Sequence, residues 1–166
     1  MHGTLTPRTN RSHQIRLVKS LGTVLGFAAR DLEDVCAKLH SRNDDELIAA
    51  VPLDAELTYS LIRECWLLDF VAHFLTELFP HDTPTPHLPS LKEAASRAYK
   101  NSLAPHHSAF VRFAVSAALL LLPSRESFLL TLANGKKGLA TLPADLARFV
   151  QDVKAVKTQL EAVLEK

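Results

Sequence analysis

"LAPHHSAFVRFAVSAALLLLPSRESFLL", Leu103 to Leu130, decides how this chain is read. Up to Leu122 the stretch is apolar almost throughout, yet it carries two adjacent histidines, His106 and His107, and an arginine, Arg112. Side chains 3, 4 and 7 residues apart share one face of a helix. A helix from about Pro105 to Leu122 therefore aligns His107 with Val111, Ala114, Ala118 and Leu121. It turns His106 about 100° away, toward solvent. A histidine on an apolar face is either satisfied within the core or meets a ligand, because its neutral ring offers one donor and one acceptor. Pro123 opens a further helix that stops at Asn134-Gly135, a C-cap signal.

The helical period continues outward from this stretch. A long pattern runs from about Ser12 to Ser41 and is broken by "SRNDDE"; another runs from Pro52 to Phe79, with Pro52 suited to a first turn. "PHDTPTPHLP" is a loop, Ser90 to Ser102 a short helix, and "LPADLARFVQDVKAVKTQLEAVLEK" a closing amphipathic helix. There is no strand pattern and no internal repeat. Hydrophobic residues make up 47% of the 166 positions, and Leu and Ala dominate, so the fold class is all-α, with about six helices. The reading is one domain over residues 13–166, preceded by a flexible N-terminus over 1–12.

Composition also narrows function. A formal net charge of +1 gives no field suited to nucleic acid. The start is polar, without the apolar stretch of a signal peptide, and the apolar run Ala114–Pro123 is too short to span a bilayer. The expectation is a soluble or peripheral protein. Cys36 and Cys65 lie among apolar residues and read as buried reduced thiols. No His or Cys pair has metal-ligand spacing, no cysteine has a nucleophile's motif and no glycine-rich phosphate loop is present. An enzyme, a metal and a cofactor are all unexpected.

Polar residues on apolar faces mark the candidate site. On the first helical pattern Asp31 and Lys38 stand within the border of an arc holding Val24, Phe27 and Val35. The alternative is a surface pair, Asp34 with Lys38. On the second pattern Arg63 aligns with Phe70 and Phe74, with Tyr59 on the same side, whereas the polar stripe is Asp69, His73 and Thr76. Arg63 either snorkels at a rim or meets an anion. Trp66, three residues on, is either a core residue or an exposed anchor.

These residues resemble the glycolipid transfer protein family, over about Leu17 to Val163. Ala98 to Leu130 is similar in order and spacing to the family's signature around its paired histidine positions and arginine. "LGTVLGFAARD", Leu21 to Asp31, resembles the approach to the family's headgroup-binding aspartate, and "LIRECWLLDFVAHFL", Leu61 to Leu75, its central helix. The resemblance implies a two-layer helical sandwich with a hydrophobic lipid tunnel, so that one side of the Pro105–Leu122 helix faces the core and the other lines the tunnel. It implies that Asp31 accepts from a sphingolipid's amide N–H, that His107 donates to the amide carbonyl, and that Lys38 contacts the headgroup. Arg63 falls where sugar-binding members stack a tryptophan and phosphate-binding members place an arginine. Val35 stands in place of an asparagine or lysine, Tyr59 in place of a first phosphate-binding arginine, and Ala109 in place of a tryptophan. Asp34 with Lys38 also has the spacing of phosphate binders; Asp31 is preferred for its distance from Leu21-Gly22 and its more apolar face. The implied function is intermembrane transfer of a sphingolipid, ceramide 1-phosphate foremost, by a cytoplasmic monomer touching membranes transiently near the pocket mouth. Glycosphingolipid transfer, or a sphingolipid sensor or scaffold, are the alternatives.

Overall fold

The structure, a computed structural model, describes residues 49–51, 53–79, 88–133 and 138–165. Asp31, Asp34, Val35, Cys36 and Lys38, with the whole Ser12–Ser41 pattern, lie outside the described residues. Every regular element within them is helical: α1 (Ala55–Leu78), α2 (Leu91–Ser102), a 3-10 turn (Ala104–His106), α3 (Ala109–Leu119), α4 (Arg125–Leu132) and α5 (Leu142–Leu164).

Hydroxyl and carboxylate caps set where these helices begin. Asp54 accepts from the Leu57 N–H at 2.9 Å, so α1 starts at Ala55, later than the Pro52 start expected. Ser90 and Glu93 form a reciprocal capping box, which makes Ser90 the cap of α2. Ser124, one residue beyond Pro123, caps α4 by accepting from the Ser127 N–H.

The largest correction concerns the opening stretch. It does not form one helix from Pro105 to Leu122. Pro105 begins only a 3-10 turn, His107 is extended (φ −102°, ψ 142°), and Ser108 caps a new helix by accepting from the Val111 N–H. His107 thus sits at a joint, and its helical alignment with Val111, Ala114, Ala118 and Leu121 does not apply.

α1 is the central helix. It packs against α2 on one flank and α5 on another. Leu61, Leu68, Phe74 and Leu78 are almost wholly buried along it, with Leu91, Ala94 and Ala98 of α2 and Val153 of α5 closing over them. Phe70 stacks on Phe74, and Phe128 of α4 meets Phe74 edge-on with ring centroids 5.8 Å apart. The expected polar stripe of α1 divides: His73 and Thr76 are exposed, whereas Asp69 binds Lys157 of α5 at 3.0 Å. Lys157 also binds Glu161, and these two bonds outweigh the effect of burial and hold the ammonium above its usual range. Gly138 passes so close to the Ala133 carbonyl that a Cβ would collide with its oxygen, which brings the end of α4 tightly against the approach to α5.

Candidate functional site

Spacings of four and three place Tyr59, Arg63 and Trp66 on one side of α1. The Tyr59 and Trp66 rings meet edge-on at 6.4 Å, and the Arg63 guanidinium lies over the Tyr59 ring at 5.8 Å. Arg63 and Tyr59 are exposed, and Trp66 is half-buried. Trp66 is therefore neither a fully enclosed core residue nor a bare anchor. Its indole is covered by the His106 imidazole, with centroids 3.7 Å apart and planes 3° from parallel.

The joint after α2 delivers the two histidines in different directions. His106 goes to Trp66 of α1, and His107 to Tyr99 of α2, whose hydroxyl lies 3.0 Å from Nδ1. Arg112 of α3 reaches back to the His107 carbonyl at 3.0 Å and, more weakly, to that of Ala104 at 3.4 Å. The guanidinium gives the His107 carbonyl a donor and shares the Ala104 carbonyl with the His107 N–H. Arg112 thereby holds the joint shut, a role that spacing alone did not reveal.

The chemistry of His107 follows from these contacts. Burial, then the positive charge of His106, Arg63 and Arg112, holds its pKa below the usual histidine range. Its ring is neutral at physiological pH and carries one proton. Burial pushes the Tyr99 hydroxyl up, against the pull of Arg112, so that oxygen keeps its proton. That hydroxyl has its one hydrogen bond to Nδ1 among the described residues, and donating into the Nδ1 lone pair satisfies both groups. This assigns the proton of His107 to Nε2, as a donor directed away from Tyr99. Tyr99→Phe should release the ring from this tautomer and weaken ligand binding by up to roughly tenfold, the worth of one such hydrogen bond. Isothermal titration with a ligand of the site checks this; unchanged affinity would mean that the bond does not orient the ring.

The structure thus brings together Arg63, His107, Tyr59 and Trp66. Sequence reading missed Tyr99 and His106 as partners, because residues eight apart across a proline, or on separate helices, have no periodic signature. It also missed Glu64, whose carboxylate is buried at 3% exposure. Cys65 matches its reading as a buried thiol. Burial, with the carboxylates of Glu161, Glu64 and Asp69 and against the pull of Lys157, raises its pKa to about 11, which suits a packed thiol rather than a nucleophile.

α3 leads away from the joint with one side, Val115 and Leu119, in the core. Its other side carries apolar residues that are exposed. Phe110 is 79% exposed, Phe113 75%, Leu120 64% and Leu121 72%, and by helical spacing they form one apolar stripe with Ala114 and Ala117. No helix among the described residues is long and apolar enough to cross a membrane.

Comparison with known proteins gives this arrangement a frame. A variant of Arabidopsis accelerated-cell-death 11, solved in complex with ceramide-1-phosphate, is similar with a TM-score of 0.74 and 23% identity, over 92% of this chain and 78% of that one. Human ceramide-1-phosphate transfer protein, also complexed with ceramide-1-phosphate, is similar with a TM-score of 0.67 and 24% identity, over 89% and 80% of the two chains. The apo mouse ceramide-1-phosphate transfer protein gives 0.66 and 23%, over 92% and 83%. Identities at this level speak for the fold. No individual curated protein matches by sequence. The family model described as "Glycolipid transfer protein (GLTP)" matches residues 10–134, a span that takes in α1, α2, the histidine joint, α3 and α4. The chain, with its all-helical fold, belongs to the glycolipid transfer protein family.

Proposed function

We propose that the protein carries a sphingolipid with a phosphate headgroup, ceramide 1-phosphate, between membranes. The observation that carries this reading is the gathering of Arg63, Arg112 and His106 within electrostatic reach of His107, on a fold whose solved relatives hold ceramide-1-phosphate. Like charges gathered around a half-buried ring favour an anion there. Arg63 presents a planar fork that matches phosphate oxygens, and no aromatic residue occupies that position to stack on a sugar. His107 Nε2–H is the donor for the amide carbonyl. Asp31 accepts from the amide N–H, and Lys38 stands near the headgroup. An amide has one donor and one acceptor, and leaving either unpaired in a dry site would cost about 1–3 kcal/mol. No cofactor and no covalent step are needed. The apolar chains are sheltered by the protein, each buried methylene contributing about 0.8 kcal/mol.

Incubating the protein with vesicles containing equal amounts of ceramide 1-phosphate and galactosylceramide, reisolating it and weighing the bound lipid by mass spectrometry tests this. Ceramide 1-phosphate should predominate. Galactosylceramide alone would overturn the phosphate reading, and no lipid at all would favour a scaffold.

The membrane is met through the exposed stripe of α3, not through Trp66, which His106 covers. The stripe begins immediately after the histidine joint, so docking brings the headgroup site to the lipid surface. Phe110→Ser with Phe113→Ser should lower partitioning into phosphatidylcholine vesicles at least roughly tenfold, since burying one such ring is worth about 1.5–3 kcal/mol. Folding should be unchanged because both rings are exposed. Vesicle flotation measures the change; wild-type partitioning by the double variant would move the docking surface elsewhere.

A further inference from the structure

Arg63 and His107 stand on different pieces of the fold, Arg63 on the central helix α1 and His107 on the joint between α2 and α3. The joint has little of its own to hold it. Its backbone is a single 3-10 turn, closed by the His106 N–H on the Leu103 carbonyl at 3.0 Å and the His107 N–H on the Ala104 carbonyl at 3.3 Å. Such bonds have poorer geometry than those of an α-helix. Pro105 brings no N–H, and no residue of the Ala104–His106 turn is buried. Core packing therefore does not fix where His107 lies.

Side chains do, and they reach three helices. Arg112 of α3 donates to the His107 carbonyl, and the Tyr99 hydroxyl of α2 meets the His107 ring. The tie to α1 is the stack of His106 on Trp66, with centroids 3.7 Å apart and planes 3° from parallel. Trp66 is a firm base for that stack. It is half-buried, and Tyr59 meets it edge-on, with the Arg63 guanidinium lying over the Tyr59 ring. A run of contacts thus leads from Arg63 through Tyr59 and Trp66 to His106, whose neighbour in the chain is His107. Ties to three separate helices hold a short segment in place; without the one to α1, the joint is free to pivot against the helix that carries Arg63.

We propose that Trp66 and His106 are positioning residues: their stack holds the joint against α1 and so sets where the His107 Nε2–H stands relative to Arg63. The role uses the face of the His106 ring, not its nitrogens or its charge, and neither ring needs to touch the lipid. The inference rests on the reading of His107 as the donor to a sphingolipid amide and deepens it. Ceramide 1-phosphate has to meet Arg63 with its phosphate and His107 with its amide carbonyl at the same time, so the span between these two groups decides whether both contacts form. A joint already in place spares the ligand the cost of ordering it, whereas a loose joint lowers the apparent affinity by the fraction of time it is misplaced.

The test removes the stack from its exposed side. Equilibrium binding of ceramide 1-phosphate in phosphatidylcholine vesicles is measured at one neutral pH for wild type, His106→Ala, His106→Phe, His107→Ala and the double variant His106→Ala with His107→Ala. Thermal unfolding is the control for folding, which His106, being exposed, should leave unchanged. His106→Ala should bind roughly three- to tenfold more weakly than wild type, the worth of an aromatic pair. His106→Phe keeps a flat ring on the indole and loses the nitrogens, and should bind as wild type does. The double variant should bind as His107→Ala does, because a stack that acts by placing His107 has nothing to place once that ring is gone. Wild-type affinity in His106→Ala, a His106→Phe as weak as His106→Ala, or losses that add in the double variant would each overturn the inference and leave the phosphate reading in place. Wild-type affinity in His107→Ala would overturn the inference together with the amide role of His107. Failure of wild type to bind ceramide 1-phosphate, with galactosylceramide bound instead, would overturn the inference and the phosphate reading together.

Discussion

Phe128→Ala is expected to destabilise the protein by about 3–5 kcal/mol, against a total margin of about 5–15 kcal/mol for a folded domain. Phe128 is 1% exposed and is the buried residue through which α4 is fastened. α4 spans only Arg125–Leu132, too short to be stable by backbone bonds alone. Its ring meets Phe74 edge-on, and Phe74, wholly buried on the central helix, stacks in turn on Phe70. Truncation empties a ring-sized volume among residues that cannot all move in, and it also loses a favourable aromatic geometry. Arg125 supports the same attachment more weakly. It donates to the Pro89 carbonyl at 3.2 Å and lies over the Phe79 ring at 5.5 Å. Urea unfolding followed by circular dichroism measures the loss, with Phe128→Leu expected to cost less because it leaves a smaller void. A loss under about 1 kcal/mol for the alanine variant would contradict this packing.

Arg63→Leu should lower the affinity for ceramide 1-phosphate by roughly 10- to 100-fold, the range for hydrogen bonds to a charged group, and leave stability nearly unchanged. The side chain is exposed, and it lies over the Tyr59 ring as a surface cation–π pair. Arg63→Lys should recover only part of the affinity, because an ammonium keeps the charge and loses the planar fork. Asp31→Val, by contrast, should abolish binding of every sphingolipid if Asp31 accepts from the amide N–H as proposed, since all of them carry that amide. Loss of galactosylceramide and ceramide 1-phosphate binding in equal measure by Arg63→Leu would show that Arg63 shapes the site without reading the headgroup. The measurement is binding of both lipids by each variant, with thermal unfolding as the control.

How far the sequence could be read depended on the range of the interaction. Apolar periodicity carried α1, α2 and α5, because a helix declares its buried face within a few turns. The helices capped by Ser90 and Ser124 begin within two residues of the starts expected at Ser90 and Pro123. The histidine joint was not. Pro105 and Ser108 each offer a helix start, and local propensity does not choose between them. The choice rests on contacts made elsewhere: Tyr99 with His107, Trp66 with His106, and Arg112 on the carbonyl behind it. Arg63 and His107 were visible as polar residues among apolar ones, although their meaning came from the family resemblance. The Asp69–Lys157–Glu161 cluster joins the central helix to the last one, and neither helix alone shows it.

The central claim is that this chain moves a phosphate-headed sphingolipid from one membrane to another. The most direct measurement is vesicle-to-vesicle transfer, with fluorescently labelled ceramide 1-phosphate or labelled galactosylceramide in donor phosphatidylcholine vesicles and unlabelled acceptors. Catalytic amounts of protein should transfer ceramide 1-phosphate many times per molecule, with little movement of the galactolipid. Rapid galactosylceramide transfer with ceramide 1-phosphate left in the donors, or transfer of neither, would contradict it.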